Sequence, residues 1–347
     1  MRNQPRFCLT FLGVIALASC GSATASSSFS TGASSGNYYA MDTVIQIWVG
    51  GNNVGVTSDD LGAYYSLYDA LADNTIRHEG YTNVYDINQT NQPVQVQKEL
   101  FYLLKFAYSM KTITQGYFNP LIGGLSDLWK KDLFNLDQSG TSLTKSDETY
   151  VPTIPTDAEI QVELAKMNAS SLTFDEAALT VTRVGEGKID LGGVAKGYAG
   201  QVIYSFAQSK GLTNYLVNAG SSTLIFGESG SGDGSYRLTF TDLASEYASV
   251  KNCTVGTSAI KEQNATVDGK LYSHIINPIS GSALVDWYGA VILGQDAGVQ
   301  DVLSTSFVLM GPGDLSDQLM AQYGLTALFY KDGVSTIVNK GITLYAS

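Results

Sequence analysis

Three short stretches bring together residue types that do chemistry. In "KIDLGGVAKGYAGQVIYSF", residues 188–206, a strand-like run meets Asp190, then Gly192-Gly193, then Lys196 at the opening of a helical pattern. Glycines let phosphate oxygens approach backbone N–H groups, a helix N-terminus adds partial positive charge, and a lysine adds a full one. The spacing is neither G-x-G-x-x-G nor G-x-x-x-x-G-K-[ST], so the common nucleotide fingerprints do not apply. Tight strand-to-helix packing accounts for Gly192-Gly193 about as well, and Asp190 reads equally as a helix-start residue.

In "GQDAGVQDVLSTSFVLMG", Asp301 and Thr305 stand four apart on an otherwise apolar helix and so face one way. A carboxylate and a hydroxyl are hard oxygen ligands of the kind Mg²⁺ takes beside substrate phosphates. The competing reading is an aspartate in a first helical turn and a threonine bonding back to its own helix. In "DGKLYSHIINPISGSAL", His274 is one of two histidines in the chain and precedes an Asn-Pro turn. It is a structural histidine or, as the only imidazole among these motifs, a general base or phosphate contact.

The elements that must hold these residues mix both periodicities. "AMDTVIQIWVGG" alternates like a strand, and "SDDLGAYYSLYDALAD" places Leu61, Tyr65, Tyr68 and Leu71-Ala72 on one helical face. Leu100, Leu103, Leu104 and Ala107 repeat that spacing. Thr156 and Glu159 form a capping-box pattern, "SLTFDEAALTVTRV" reads as a hairpin turning at Asp175-Glu176, and "ALFYKDGVSTIV" as one turning at Asp-Gly. There is no repeat and no second linker, so the class is α+β in one large domain.

Hydrophobic residues reach 44% and charged ones only 15%, a globular rather than disordered composition. A net charge of −12 argues against a partner bound through a nucleic-acid backbone. The N-terminus has Arg2 and Arg6, then an apolar run from about Phe7 to Ala18, too short to span a bilayer well and fitting a signal peptide over 1–19. Leu17-Ala18-Ser19-Cys20 resembles a bacterial lipobox, in which Cys20 takes lipid; the alternative is an ordinary signal peptide with an incidental cysteine. Residues 20–37, rich in Gly, Ser and Ala, read as a flexible tether, with folded sequence from 38 to 347. Cys8 leaves with the signal, so Cys253 is then alone in the body and reads as a packed strand residue.

Taken together and in order, these motifs resemble the ApbE family, the FAD:protein FMN transferases. "AMDT" at 40–43 is similar to its flavin-holding segment, and "YFNPLIGGLSDLW" at 117–129 to its Phe-Asp-Pro…Gly-Pro-Leu…Leu-Trp stretch. "DLGGVAKGYA" at 190–199 matches almost completely, and "LVNAGSS" at 216–222 resembles an Asn-x-Gly-Gly turn. "TSA" at 257–259, "YSHIINPISG" at 272–281 and "DVLSTS" at 301–306 resemble its Thr-Ser-Gly, Ser-His-Ile-Ile-Asp-Pro-x-Thr-Gly and Asp-Ala-x-x-Thr motifs.

The resemblance implies one domain of mixed and antiparallel sheets with flanking helices, related to the T-fold. It implies FAD bound by Met41, Thr43, His78, Asp190, Gly192, Gly193, Lys196, Ser258, His274 and Ile275, and Mg²⁺ held by Asp301, Thr305 and the Gly193 carbonyl. A Thr or Ser hydroxyl of an acceptor flavoprotein would then take FMN and release AMP, with His274, Lys196 and Asp301 as the catalytic group. The implied acceptors are extracytoplasmic, of the NqrC/RnfG type or flavin-bearing lipoproteins, met at the outer face of a membrane to which Cys20 anchors the enzyme. A Mg²⁺-dependent FAD pyrophosphatase and a non-catalytic FAD-binding lipoprotein are the other readings. Asn119 and Asn277 stand where the family has Asp, Ile279 where it often has a basic residue, and Ala259 where it has Gly. An amide is no base, so these positions do not support a carboxylate-base mechanism.

Overall fold

The computed structural model describes residues 15–17, 33–51, 54–137, 150–230, 232–240, 243, 246–260, 263–331 and 336–346. Cys20, most of the tether and the Asp-Gly turn after Lys331 lie outside the described residues. The alternating stretch Thr43–Val49 buries Ile45, Ile47 and Val49 and leaves Val44, Gln46 and Trp48 on the other face. It pairs antiparallel with Ser34–Ala40 and with Tyr215–Ala219. The eight-stranded sheet continues through Thr223–Phe226, Cys253–Ala259, Gly289–Gly294, Thr326–Lys331 and Thr336–Lys340, each antiparallel to its neighbour. The edge strand Ser34–Ala40 of this sheet begins inside the segment expected as tether. An edge strand is held by backbone pairing, which small side chains do not prevent.

One face of this sheet carries the helices Ser58–Ala72, Ala195–Lys210 and Ala297–Met310, whose apolar faces meet Ile45, Ile47 and Val217 in the main core. Each aliphatic side chain fully buried there contributes about 1.5–3 kcal/mol. Part of the other face is covered by a small sheet of Tyr236–Thr239, Glu246–Val250 and Tyr345–Ala346, with Ile15–Leu17, inside the segment expected as signal peptide, paired antiparallel to Tyr236–Thr239. Leu224, Phe226, Val255, Val291 and Leu328 pack there against Leu238, Phe240 and Val250. Thr223–Phe226 is therefore buried at every position, where the one-sided strand Thr43–Val49 alternates.

The predicted local signals hold. Thr156 and Glu159 make a reciprocal capping box at the helix Asp157–Asn168, and Leu100, Leu103, Leu104 and Ala107 are buried on Lys98–Ile113. Ser171–Asp175 and Thr180–Val184 form the expected hairpin, with Asp175 Oδ1 accepting from the Ala177 and Ala178 N–H groups. Cys253 starts a strand as a free thiol, and burial pushes its pKa up to about 12, which keeps it an inert packed residue.

Candidate active site

The loop that opens the helix Ala195–Lys210 is clamped by amides distant in sequence. Asn88 accepts the Ile189 N–H at 2.8 Å and donates to the Ile189 carbonyl at 3.0 Å, imitating a neighbouring strand. The Asp190 N–H donates to the Pro120 carbonyl at 2.8 Å, and Gly123 N–H to the Lys188 carbonyl at 2.9 Å. The 117–129 motif thus braces residues 188–190 from behind, reinforced by Lys188 and Asp127 paired at 2.7 Å. Asp190 Oδ1 accepts the Gly192 N–H at 2.8 Å, so this carboxylate shapes the turn.

The next bond is diverted. In a regular helix the Gly197 N–H would donate to the Gly193 carbonyl. It donates instead to Asp301 Oδ2 at 2.7 Å, while Tyr198 resumes the ordinary pattern onto Val194. Two consequences follow. The Gly193 carbonyl accepts no backbone N–H among the described residues, and Asp301 sits as an anion at a helix N-terminus, where the macrodipole favours it. Asp301 Oδ1 is left without a hydrogen-bond donor among the described residues. Burial raises the Asp301 carboxyl pKa, opposed by the positive charge of Lys196 and by the Gly197 N–H.

One turn along, Thr305 Oγ1 lies 2.9 Å from Ser258 Oγ, which is also 2.8 Å from Ser304 Oγ. Thr305 therefore bonds across to a strand, against the alternative that it serves only its own helix. From Ser258 the contacts run on to the turn at residues 40–43. Thr257 donates from its N–H to Ser222 O and from Oγ1 to Ser221 O, both at 2.7 Å. A Cβ on Gly220, which has φ +60°, would overlap the Thr43 side chain. Met41 and Asp42 both adopt left-handed backbone in the two-residue turn, φ 53° and 57°, as a tight hairpin demands. Asp69 Oδ1 holds that turn by accepting the Met41 N–H at 2.7 Å.

His274 follows the strand Lys270–Ser273. Its Nδ1 lies 3.1 Å from the Gln263 carbonyl oxygen, which only accepts, so Nδ1 carries the proton and Nε2 keeps the lone pair of the neutral ring. His274 is exposed, so a substrate can reach it. Desolvation by the surrounding protein lowers the imidazole pKa, and the positive charge of Lys196 acts in the same direction. Lys196, half-buried in the first helical turn, thus acts electrostatically on both Asp301 and His274.

Among the described residues no three His, Cys, Asp or Glu side chains cluster as a metal cage. The donor set is one carboxylate, one hydroxyl and one carbonyl, all hard oxygens, with Asp301 Oδ1 and the Gly193 carbonyl unengaged among the described residues. That suits Mg²⁺, which takes one or two carboxylates and fills its shell with water and substrate phosphate. The sequence model of the ApbE family matches residues 41–329, spanning every residue of this site. The chain belongs to the ApbE family.

An FAD:protein FMN transferase of Vibrio cholerae is 24% identical over 245 residues, 69% of this chain and 69% of that protein. Another, of Klebsiella pneumoniae, is 26% identical over 262 residues, 74% of each. The crystal structure of the ApbE protein of Thermotoga maritima aligns with a TM-score of 0.69 at 24% identity, covering 89% of this chain and 97% of that one. The flavin transferase ApbE of Vibrio cholerae gives 0.65 at 19% identity, covering 90% and 96%. These structural likenesses establish the α+β fold of antiparallel sheets and flanking helices.

Within this ApbE fold the two Asn departures become intelligible. Asn119 Oδ1 accepts the Leu121 N–H at 3.1 Å, and Asn277 Oδ1 accepts the Ile279 N–H at 2.9 Å. Both are turn-forming acceptors, a task an amide oxygen performs as well as a carboxylate. His78 pairs through Nε2 with Asp73 Oδ2 at 2.8 Å, and Ile275 is buried in the main core with its N–H on Ser273 Oγ. Ser304, Asp69 and Asn88 escaped the sequence reading. Ser304 lay inside a quoted motif, but Asn88 sits 101 residues from the backbone it clamps and offers no local signal.

Proposed function

We propose that this protein is an FAD:protein FMN transferase that uses Mg²⁺ and releases AMP. The observation that carries the reading is the Gly197 N–H bond to Asp301, which frees both a carboxylate oxygen and the Gly193 carbonyl beside a lysine in a phosphate-type loop. Asp301, Thr305 and the Gly193 carbonyl would hold Mg²⁺, which when bound neutralises charge on the FAD pyrophosphate. Lys196 contributes a fixed positive charge toward the same oxygens. Met41 and Thr43, in the turn fixed by Asp69 and Gly220, would bound the isoalloxazine end, and Ser258 would lie between flavin and phosphates. His78 would contact the adenine.

The reaction balances as a phosphoryl-centre displacement. The oxygen of an acceptor Thr or Ser attacks the phosphorus on the riboflavin side, its proton passes to His274 Nε2, and the bond to the AMP oxygen breaks. The products are a phosphodiester-linked FMN and AMP. The acceptor fits an extracytoplasmic flavoprotein of the NqrC/RnfG or flavin-bearing lipoprotein type, with this enzyme tethered beside it through lipid on Cys20. Incubation with FAD, Mg²⁺ and candidate acceptors, followed by intact-mass spectrometry, tests this. A covalent FMN mass on the acceptor is the expected result; AMP and free FMN with an unmodified acceptor would assign a pyrophosphatase instead.

A further inference from the structure

Three hydroxyls, on the strand Cys253–Ala259 and the helix Ala297–Met310, form a chain with one favoured direction. A hydroxyl carries one proton, whereas a carbonyl oxygen carries none and only accepts. Ser304 Oγ lies 3.0 Å from the Asp301 carbonyl oxygen, so Ser304 donates there and its proton is spent. At its 2.8 Å contact with Ser258 Oγ, Ser304 then accepts and Ser258 donates. With the Ser258 proton spent in turn, the 2.9 Å contact with Thr305 Oγ1 is a bond donated by Thr305. The order Thr305 to Ser258 to Ser304 to the Asp301 carbonyl engages every one of these protons. The reverse order leaves the Asp301 carbonyl contact unmade and the Thr305 proton without a partner in the chain. Ser304 is completely buried, so bulk solvent does not compete for its proton, while Ser258 and Thr305 are half-buried.

We infer that Ser304 is a positioning residue for the metal site: by ending this chain it turns the Thr305 proton toward Ser258 and leaves a Thr305 lone pair for the cation. A hydroxyl ligates through a lone pair, and a proton aimed at the cation opposes binding. Without the Ser304 oxygen, the Ser258 proton loses its buried acceptor and turns to Thr305 Oγ1. That occupies a Thr305 lone pair and deprives the Thr305 proton of Ser258, so seating a cation requires breaking a hydrogen bond first. The role rests on the reading of Thr305 as a Mg²⁺ ligand; the direction of the chain stands on the three distances alone.

Mn²⁺ binding at saturating FAD, followed by electron paramagnetic resonance, tests the inference. Ser304→Ala removes one buried oxygen and raises helix propensity, so the helix is retained. It should weaken Mn²⁺ binding about tenfold, the low end for residues that support a metal ligand. Ser258→Ala cuts the chain between Thr305 and Ser304, so adding Ser304→Ala to it should change affinity by less than about twofold. A purely structural effect of Ser304 on its helix would instead appear in both backgrounds, and that result overturns the inference. Unchanged affinity in Ser304→Ala alone overturns it as well, with the metal reading of Thr305 left standing. If the wild-type protein binds no Mn²⁺, the metal reading fails and the role of Ser304 fails with it.

Discussion

Gly197→Ala isolates the contact on which the site depends. A methyl there would overlap the Ala297 carbonyl oxygen and Asp301 Cβ and stand 3.0 Å from Asp301 Cγ. These atoms belong to the helix Ala297–Met310, so relief requires moving one helix off the other. Overpacking of this kind costs about 1–3 kcal/mol. Displacing the Gly197 N–H from Asp301 forfeits a bond to a charged group, about 1.5–3 kcal/mol. Alanine returns about 1 kcal/mol of helix propensity. The net expectation is a loss of roughly 2–4 kcal/mol in stability, with incomplete addition of the first two effects because they share one displacement. Guanidinium unfolding reads it as a lower midpoint at constant slope. Gly193→Ala is the control: its Cβ would stand 3.6 Å from Phe118 Cε2, an ordinary contact, and its expected change is within about 0.5 kcal/mol. A Gly197→Ala protein as stable as the control would refute the close helix approach and the diverted bond together.

Asp301→Asn keeps the shape and removes the anionic donor, so Mg²⁺-dependent FMN transfer should fall at least about 100-fold, and Thr305→Val by less; steady-state transfer against Mg²⁺ concentration checks both. His274→Asn should slow single-turnover transfer by ~10²–10⁴-fold with FAD binding nearly intact, and equal rates would leave His274 structural. Because only neutral imidazole accepts a proton and the His274 pKa is lowered, the wild-type rate should fall only as pH drops below the ordinary histidine value of 6.5. Cys20→Ser should shift the protein from the membrane to the soluble fraction with activity retained, as fractionation and blotting would show; persistent membrane attachment with the leader removed would count against lipid at that residue.

Local periodicity and capping carried much of the fold. Ile45, Ile47 and Val49 alternate because one face of their strand is solvated, and Thr156 meets Glu159 because a capping box is a four-residue event. The strand Thr223–Phe226 was illegible for the opposite reason: burial on both faces erases alternation. At the site, residue types and order were enough to nominate Asp301, Thr305, Lys196 and His274.

What each of those residues does was decided by partners far along the chain. Asp190 and Asp301 are both carboxylates beside the same glycine loop, and nothing in their neighbours ranks them. Packing does: Asp190 spends an oxygen on the Gly192 N–H two residues on, whereas Asp301 arrives 104 residues later to take the Gly197 N–H and release the Gly193 carbonyl. Likewise Asn119 and Asn277 look like lost catalytic acids until their oxygens are seen closing turns. By itself the sequence determined which residues were available and which helix or strand carried them, because those are short-range properties of spacing. Only the tertiary structure decided which lone pairs remained unspent, because hydrogen-bond satisfaction depends on every group that packing brings within reach.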